Sequence, residues 1–243
     1  MIRQAAALIL LRGADTGIEV CMLRRVASSR FAPGAYVFPG GGIEEQDEVF
    51  SQMLEGNKNN TAKISAIRET FEEAGILAGA SVSAYTFSAH EREQLNNGET
   101  TFQQLIEQHG IDLNLQSITF YDHWITPEGA PVRFDTRFFI ARADANQNVL
   151  HDDAETDESC WAKPADLLEQ YDHEEIKLMP VTHVQLLRLS RVESINDSIE
   201  QANQKSISPV LPVLNFNEAG KPTSVTIKLE EGVVEYPVFI KRG

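Results

Sequence analysis

The feature that most constrains this chain is the acidic stretch RETFEEAGI at residues 68–76. If this stretch is helical, Glu69, Glu72 and Glu73 stand at positions i, i+3 and i+4 and project from one face within a single turn. Like charges this close destabilise a helix unless a cation neutralises them, and Mg²⁺ binds such carboxylates together with substrate phosphates. Gly75 is expected to end the helix, because a residue without a Cβ most easily adopts the left-handed conformation. The stretch therefore predicts a metal-binding helix, and a solvated acidic face is the alternative.

A glycine-rich turn, FPGGG at residues 38–42, precedes this helix. Glycine allows the backbone to approach a phosphate closely. Taken together, the turn and residues 68–76 resemble the Nudix box, the signature of hydrolases that act on nucleoside diphosphates linked to another group. In that box an acidic residue follows a glycine after five residues, which selects Asp47 after Gly41, or Glu48 one residue later.

The box is longer here than in the family pattern. Twenty residues separate Asp47 from Arg68 where the pattern has seven, so we expect an insertion at about residues 48–61 within a box that spans residues 41–76. The resemblance implies an α/β fold, namely an α/β/α sandwich with a mixed central sheet. The mixed alternation of predicted strands and helices favours the same architecture.

The resemblance also implies roles for individual residues. A divalent cation, Mg²⁺ or alternatively Mn²⁺, would be bound by Glu69, Glu72, Glu73 and Gly41. Arg68 is expected to orient a catalytic carboxylate through a charge-assisted hydrogen bond. Glu69 is the first choice for the general base. Glu155, six residues before Trp161 in an acidic loop, is the alternative base, although its carboxylate could simply be solvated.

The segment before the box indicates a substrate. Arg30 is followed after three residues by Gly34 and after three more by Phe-Pro-Gly-Gly, which is similar to the coenzyme A signature of CoA-hydrolysing Nudix enzymes. Arg25 falls on the first arginine of that signature. The match is partial, because Val26 replaces a Ser or Ala and Leu23 replaces a Thr. An ordinary loop that Arg30 caps and Gly34 turns is the alternative.

A second resemblance comes from WITP at residues 124–127 and RFDTRFF at residues 133–139, which look like the peroxisomal acyl-CoA diphosphatase branch of the family. Phe134, Phe138 and Phe139 are expected in the core rather than stacked against a nucleobase. The candidate substrate contacts are Arg25, Arg30, Gly40, Gly41, Arg133 and Arg137. Guanidinium forks match phosphate geometry, although each arginine could equally pair with a surface carboxylate in so acidic a chain.

Composition limits the partners and the compartment. The chain has 21 basic and 36 acidic residues, a net charge of −15, so no nucleic-acid partner is expected. No apolar run reaches the roughly 18 residues of a membrane span, so no membrane contact is expected. The apolar run at residues 5–11 lacks a signal-peptide pattern, and KRG at residues 241–243 is not a peroxisomal address. Two distant cysteines, Cys21 and Cys160, fit a reducing compartment, so a cytoplasmic location is predicted.

The organisation of the chain predicts one domain over residues 1–243. Residues 2–11 and 18–24 predict a β-hairpin of core strands. Thr61 is the predicted N-cap of the helix that carries the acidic stretch. A C-terminal extension of about residues 178–243 is expected to add to the main sheet or to form the edge of a homodimer. Its predicted elements are one amphipathic helix at 178–203 and a hairpin at 224–229 and 233–240.

Three alternatives stay open. The first is a Nudix pyrophosphatase for another substrate, such as ADP-ribose, a nucleotide sugar, a dinucleotide or an oxidised nucleotide. The second is a non-catalytic Nudix-like ligand sensor, but such proteins usually lose the glutamates that this chain retains. The third is a hydrolase whose insertion has reshaped the metal site, since Asp47 stands where a Glu is expected. The favoured prediction is a Mg²⁺-dependent hydrolase that converts CoA or acyl-CoA to 3′,5′-ADP and (acyl-)4′-phosphopantetheine.

Overall fold

The computed structural model describes residues 1–54, 58–80, 87–144 and 147–238. Its strands are β1 (Ile2–Gly13), β2 (Ile18–Arg25), β3 (Ala35–Val37), β4 (Gly40–Gly42), β5 (Thr119–Ile125), β6 (Arg133–Arg142), β7 (Thr156–Ala162), β8 (Lys177–Leu178), β9 (Val213–Phe216), β10 (Pro222–Leu229) and β11 (Gly232–Pro237). Its α-helices are α1 (Glu45–Met53), α2 (Lys58–Ala74), α3 (Ala89–Asn96), α4 (Phe102–Gln108), α5 (Pro164–Asp172), α6 (Pro180–Leu189) and α7 (Ile195–Gln204). Within the described ranges, no helix is long and apolar enough to cross a membrane.

The main sheet is mixed and has β1 near its centre. The strand order is β5-β6-β1-β2-β3-β8, and β4 also pairs with β1 while β7 pairs with β2. The β1–β6 and β3–β8 pairs are parallel, and the other neighbours are antiparallel. The predicted hairpin of the first two strands is confirmed. A separate antiparallel sheet, with the order β11-β10-β9, forms in the C-terminal part.

Helices cover both faces of the main sheet, which confirms the predicted α/β fold class. Alternate residues of β1 point to opposite faces. Ala6, Leu8 and Leu10 pack in one core with buried side chains of α1 to α4, whereas Ile9 and Leu11 pack in a second core with those of α5 to α7. Because β1 is buried on both faces, its sequence is an almost continuous apolar run.

α2 carries the acidic stretch and begins earlier than predicted. It starts at Lys58, so Thr61 lies inside the helix and the predicted N-cap is wrong. Polar residues such as those at 58–60 cost a helix under about 0.7 kcal/mol each relative to alanine, so their polarity does not prevent helix formation. Part of the predicted insertion, residues 55–57, lies outside the described ranges. At the other end Gly75 follows α2 with a φ of +69°, as predicted.

The C-terminal extension differs from the single predicted helix. Residues 178–203 form two helices, α6 and α7, and the Ser194 side chain caps α7 by accepting a hydrogen bond from the Asp197 amide at 3.1 Å. A serine cap competes with continuous helix formation, and the break lets both helices bury apolar side chains against the sheet. The predicted hairpin is confirmed as β10–β11, although residues 239–240 lie outside the described ranges. The third strand, β9, was not predicted.

The extension is fastened to the edge of the main sheet at β5. Val210 donates to the His123 carbonyl at 2.8 Å and accepts from the Ile125 amide at 2.9 Å. The buried Asp122 accepts from Arg188 Nη1 at 2.8 Å, and Arg188 Nε donates to Glu231 at 2.8 Å. These contacts cover an edge strand that would otherwise expose unpaired backbone groups.

Candidate active site

A buried ion pair between Arg68 on α2 and Asp47 on α1 lies at the centre of the site. Arg68 is 1% exposed, and its Nε and Nη2 atoms donate to the two carboxylate oxygens of Asp47, each at 2.9 Å. α1 places Asp47 there, because Asp47 lies in its first turn and accepts a hydrogen bond from the Glu44 amide at 2.9 Å. Glu48, the other acid that the box pattern allows, is exposed. The geometry therefore favours Asp47 as the first acidic residue of the box.

Arg68 also contacts two of the predicted catalytic glutamates. Its Nη1 atom donates to Glu72 Oε2 at 2.7 Å and lies 3.1 Å from Glu69 Oε1. Its Nη2 atom donates to the Gly42 carbonyl at 3.1 Å. The Arg68 guanidinium thus connects α1, α2 and the glycine strand β4, and its fixed planar geometry orients the carboxylates around it.

The glycine strand β4 lies against the acidic face of α2. A Cβ atom at Gly41 would lie 2.6 Å from the Glu69 carboxylate, and one at Gly40 would lie 2.5 Å from the carbonyl oxygen of Ala6. The Gly40 amide donates to Glu73 Oε2 at 2.9 Å. Because both positions exclude a side chain, the turn brings backbone and carboxylates into direct contact.

The three glutamates of α2 hold their protons unusually tightly. Burial raises the pKa of Glu69 to about 8 and that of Glu72 to about 7, and the effect is opposed in both cases by the nearby Arg68 charge. Burial, followed by repulsion from Glu69, raises the pKa of Glu73 well above its ordinary value. When ionised, this cluster therefore places more negative charge in a buried position than Arg68 can balance.

The donor set suits a divalent cation, because hard cations prefer carboxylate oxygens and would relieve this repulsion. Among the described residues, however, no three His, Cys, Asp or Glu side chains converge as a metal-binding cluster. In this structure Glu73 is held by the Gly40 amide and Glu72 is held by Arg68. Side-chain rotation of these glutamates would be needed to bring their oxygens to one ion.

The loop of residues 151–155 brings Glu155 near the same cluster. Asp152 Oδ1 accepts hydrogen bonds from the Glu155 amide at 3.1 Å and the Thr156 amide at 2.9 Å, which fixes the loop backbone. The Glu155 side chain is 65% exposed, and its charge helps to raise the pKa of both Glu69 and Glu73. The structure therefore brings the two candidate bases, Glu69 and Glu155, to one site.

Arg25 and Arg30 occupy different environments in the loop between β2 and β3. Arg25 organises the loop: its Nε donates to the Phe31 carbonyl at 3.1 Å, and its Nη2 donates to Ser29 Oγ at 3.0 Å. It also lies 3.9 Å from Glu155. Arg30 is exposed, and it has no hydrogen bond or ion pair with any described residue. Arg30 is thus the more available of the two for an anionic ligand.

Arg133 and Arg137 lie at the start of β6. Arg133 Nε donates to the Thr126 carbonyl at 3.0 Å. Arg137 lies opposite Ala6 of β1, which in turn lies opposite Gly41 of β4. Because residues opposite one another point to the same face of a sheet, Arg137 shares the face on which Glu69 contacts the glycine strand.

A polar network around Arg137 was not predicted from the sequence. Arg137 Nη1 donates to Gln4 Oε1 at 2.7 Å, Gln4 Nε2 donates to Asp135 Oδ2 at 3.0 Å, and the His123 ring pairs with the other Asp135 oxygen. The only sequence signal was the alternation of polar residues in RFDTR, which does not identify the cross-strand partners. The network fixes the orientation of Arg137.

The aromatic residues of RFDTRFF divide between the core and the surface. Phe138 and Phe139 are buried, as expected. Phe134 is half-buried and meets Phe31 edge to face, with ring centroids 5.7 Å apart and an interplanar angle of 67°. Phe31 is 38% exposed and adjoins Arg30. The expectation that all these aromatics lie in the core therefore fails for Phe134.

The fold and this site define a class of protein. An Arg-Glu-x-x-Glu-Glu helix packed on a glycine strand within a mixed sheet is the arrangement of the Nudix hydrolases. A solved Nudix hydrolase from Alicyclobacillus acidocaldarius has the same fold, with a TM-score of 0.74 and 26% sequence identity over 86% of this chain and 97% of that chain.

The family can be assigned more narrowly. Residues 48–191 match the family model described as NUDT19 Nudix domain, and the chain belongs to that family. The acyl-coenzyme A diphosphatase NUDT19 of Xenopus laevis is 28% identical over 236 residues, which cover 74% of this chain and 61% of the relative. The putative nudix hydrolase 7 of Caenorhabditis elegans is 27% identical over 216 residues, which cover 86% of this chain and 67% of that relative. This chain thus spans about three-fifths of the Xenopus laevis protein.

Proposed function

We propose that this protein is a metal-dependent pyrophosphohydrolase that cleaves CoA or acyl-CoA to 3′,5′-ADP and (acyl-)4′-phosphopantetheine. The observation that carries the proposal is the buried cluster of Glu69, Glu72 and Glu73 against the glycine strand, in a chain whose relatives include proteins named acyl-CoA diphosphatases. We also propose that residues 1–243 act as one domain, because the C-terminal extension is bonded to β5.

Glu69, Glu72 and Glu73 would hold the cation, with the Gly41 backbone beside them. Nudix hydrolases generally use a divalent metal, and the carboxylate donors favour Mg²⁺, with Mn²⁺ as the alternative. When bound, the cation supplies neutralisation of pyrophosphate oxygens and a lower pKa for a coordinated water. The raised pKa values of the glutamates support this assignment, because they result first from burial and then from repulsion between carboxylates, and a bound cation would offset both effects.

The chain's own residues would position the reacting groups. Arg68 holds Glu72 and lies 3.1 Å from Glu69, so it would restrict the arrangements that these carboxylates adopt when the cation binds. Glu69 is our first choice to accept the proton of the attacking water, because burial raises its basicity towards neutral pH. Glu155, on the facing loop, is the alternative acceptor. In-line attack on one phosphorus then expels the other phosphate.

The substrate would lie between the loop of residues 25–34 and the start of β6. Arg30 has unused donors for a phosphate, and Arg137 is held by its polar network on the face of the glutamates. Phe31 and Phe134 provide a partly exposed aromatic surface suited to a nucleobase.

The test compares glutamate variants on a substrate panel of CoA, acetyl-CoA, a longer acyl-CoA, ADP-ribose, NADH, a dinucleoside tetraphosphate and a nucleoside triphosphate. Glu72→Gln and Glu73→Gln should each lower turnover of the CoA compounds by more than about 100-fold without unfolding the protein. Glu93→Gln, a control on the exposed face of α3, should retain turnover. Near-normal turnover in either α2 variant contradicts the metal site. Preferential hydrolysis of a substrate without CoA contradicts the substrate assignment.

A further inference from the structure

Arg92, on α3, joins the two parts of the chain that carry the candidate catalytic carboxylates. Its Nε donates to the Glu72 carbonyl at 2.8 Å, and its Nη1 donates to the His151 carbonyl at 3.5 Å. The guanidinium also lies beside Gly75, since a Cβ atom at that position would be in ordinary van der Waals contact with Arg92 Nη1, at 3.5 Å. The arginine therefore contacts both the end of α2 and the beginning of the 151–155 loop.

Arg92 places a positive charge at the C-terminal end of α2. The last turn of α2 contains no basic residue, although its free carbonyls form the negative end of the helix dipole. Arg92 interacts electrostatically with Glu72 and Glu73 on one side and with Asp152 and Asp153 on the other. It is thus a cation between two groups of carboxylates that would otherwise repel each other.

One donor of Arg92 supports a role beyond ordinary packing. Its Nη2 atom is buried and has no hydrogen-bond partner among the described residues. A buried donor without a partner is costly, so such exceptions in folded proteins call for an explanation. We attribute the position of this guanidinium to its charge, which interacts with carboxylates of both α2 and the 151–155 loop.

We propose that Arg92 is a positioning residue that fixes the 151–155 loop against the end of α2 and so keeps Glu155 at the glutamate cluster. A second hydrogen bond joins the segment just before this loop to the end of α2, since the Leu150 amide donates to the Ala74 carbonyl at 3.0 Å. Within the loop, the Asp152 carboxylate accepts a hydrogen bond from the Glu155 amide, so the position of Glu155 depends on that of Asp152. The expected effect of Arg92 on catalysis rests on the proposed function, whereas its effect on the position of the 151–155 loop does not.

The structural test is amide hydrogen exchange of the 151–156 segment, measured in three variants. Arg92→Met removes the charge but keeps the length, and Arg92→Lys keeps the charge but loses the planar guanidinium. Arg142→Met is the control, because Arg142 Nη2 donates to Asn196 on α7. The Glu155 amide should exchange about tenfold faster in Arg92→Met, less so in Arg92→Lys and unchanged in Arg142→Met. Unchanged exchange in Arg92→Met overturns the proposal.

The catalytic test is a double-mutant cycle with Glu155→Gln, on whichever substrate the wild-type protein hydrolyses fastest. Arg92→Met alone should lower kcat by about 10–100-fold and change KM by less than about threefold. In the Glu155→Gln background, the same substitution should cost less than about twofold more. Equal losses in both backgrounds overturn the proposal, because Arg92 would then act independently of Glu155. If no CoA compound is hydrolysed, the proposed function fails, while hydrogen exchange still decides the role of Arg92.

Discussion

Raising the pH without a divalent cation should destabilise this protein, because the glutamates of α2 then ionise in a buried site. The folded-state pKa values of Glu69, about 8, and Glu72, about 7, lie above the ordinary value of 4.5. The folded state therefore binds these protons more tightly than the unfolded chain does. This contribution to stability is complete below the ordinary pKa and is lost as the pH rises through about 7 and 8.

The size of the loss follows from these values. Between about pH 6 and pH 9 the unfolded chain is fully ionised, and each tenfold change in proton affinity is worth about 1.4 kcal/mol. Ionisation of Glu69 therefore costs about 3 kcal/mol and that of Glu72 about 1 kcal/mol over this range. Entry of water into the site would reduce the total, so we expect a loss of about 2–4 kcal/mol.

The assay is urea denaturation followed by circular dichroism across this pH range, in a chelator and in saturating Mg²⁺. Mg²⁺ should restore the lost stability at high pH, since a ligand that binds only the folded state stabilises it by mass action. Glu69→Gln is the matched control, because its amide stays neutral, and its stability should depend less on pH and on Mg²⁺. Identical pH dependence in the wild type and Glu69→Gln, with no effect of Mg²⁺, would refute the reasoning.

Two further substitutions test the framework around the glutamates. Arg68→Met should lower the free energy of unfolding by about 3–5 kcal/mol, because it leaves the buried charge of Asp47 without its cationic partner. Arg12→Met, which removes a partly exposed ion pair and the contact of the guanidinium with the Trp161 ring, should cost about 1–2 kcal/mol in the same urea titration. Gly41→Ala should displace the Glu69 carboxylate, which lies 2.6 Å from the added Cβ position. We expect turnover to fall more than about tenfold while stability changes by less than about 1 kcal/mol, and turnover within twofold of wild type would contradict the close contact.

The local parts of the site could be predicted from the sequence because their physics is local. The spacing of Glu69, Glu72 and Glu73 fixes one helix face, and Gly75 adopts the left-handed conformation expected after it. Asp47 was one of two candidates, and only the packing of α1 against α2 shows that it, and not Glu48, meets Arg68. The sequence does not predict that contact, because the family pattern does not define the direction of α1, which extends into the insertion.

The parts that could not be predicted depend on tertiary contacts. Arg92 is one charged residue in a polar helix, and nothing in its neighbourhood along the chain indicates a contact with the Glu72 carbonyl. The Ser194 cap that divides α6 from α7 competes with an amphipathic pattern that continues through it. Arg25 stays a predicted substrate contact, and the sequence did not indicate that its guanidinium also donates hydrogen bonds within its own loop.

The most direct test of the central claim is mass spectrometry of the products after incubation of the purified protein with CoA and Mg²⁺. We expect equal amounts of 3′,5′-ADP and 4′-phosphopantetheine, from cleavage of the pyrophosphate bond, and no products when a chelator removes Mg²⁺. Cleavage at any other bond, or intact CoA under conditions in which ADP-ribose or another panel member is hydrolysed, would contradict it.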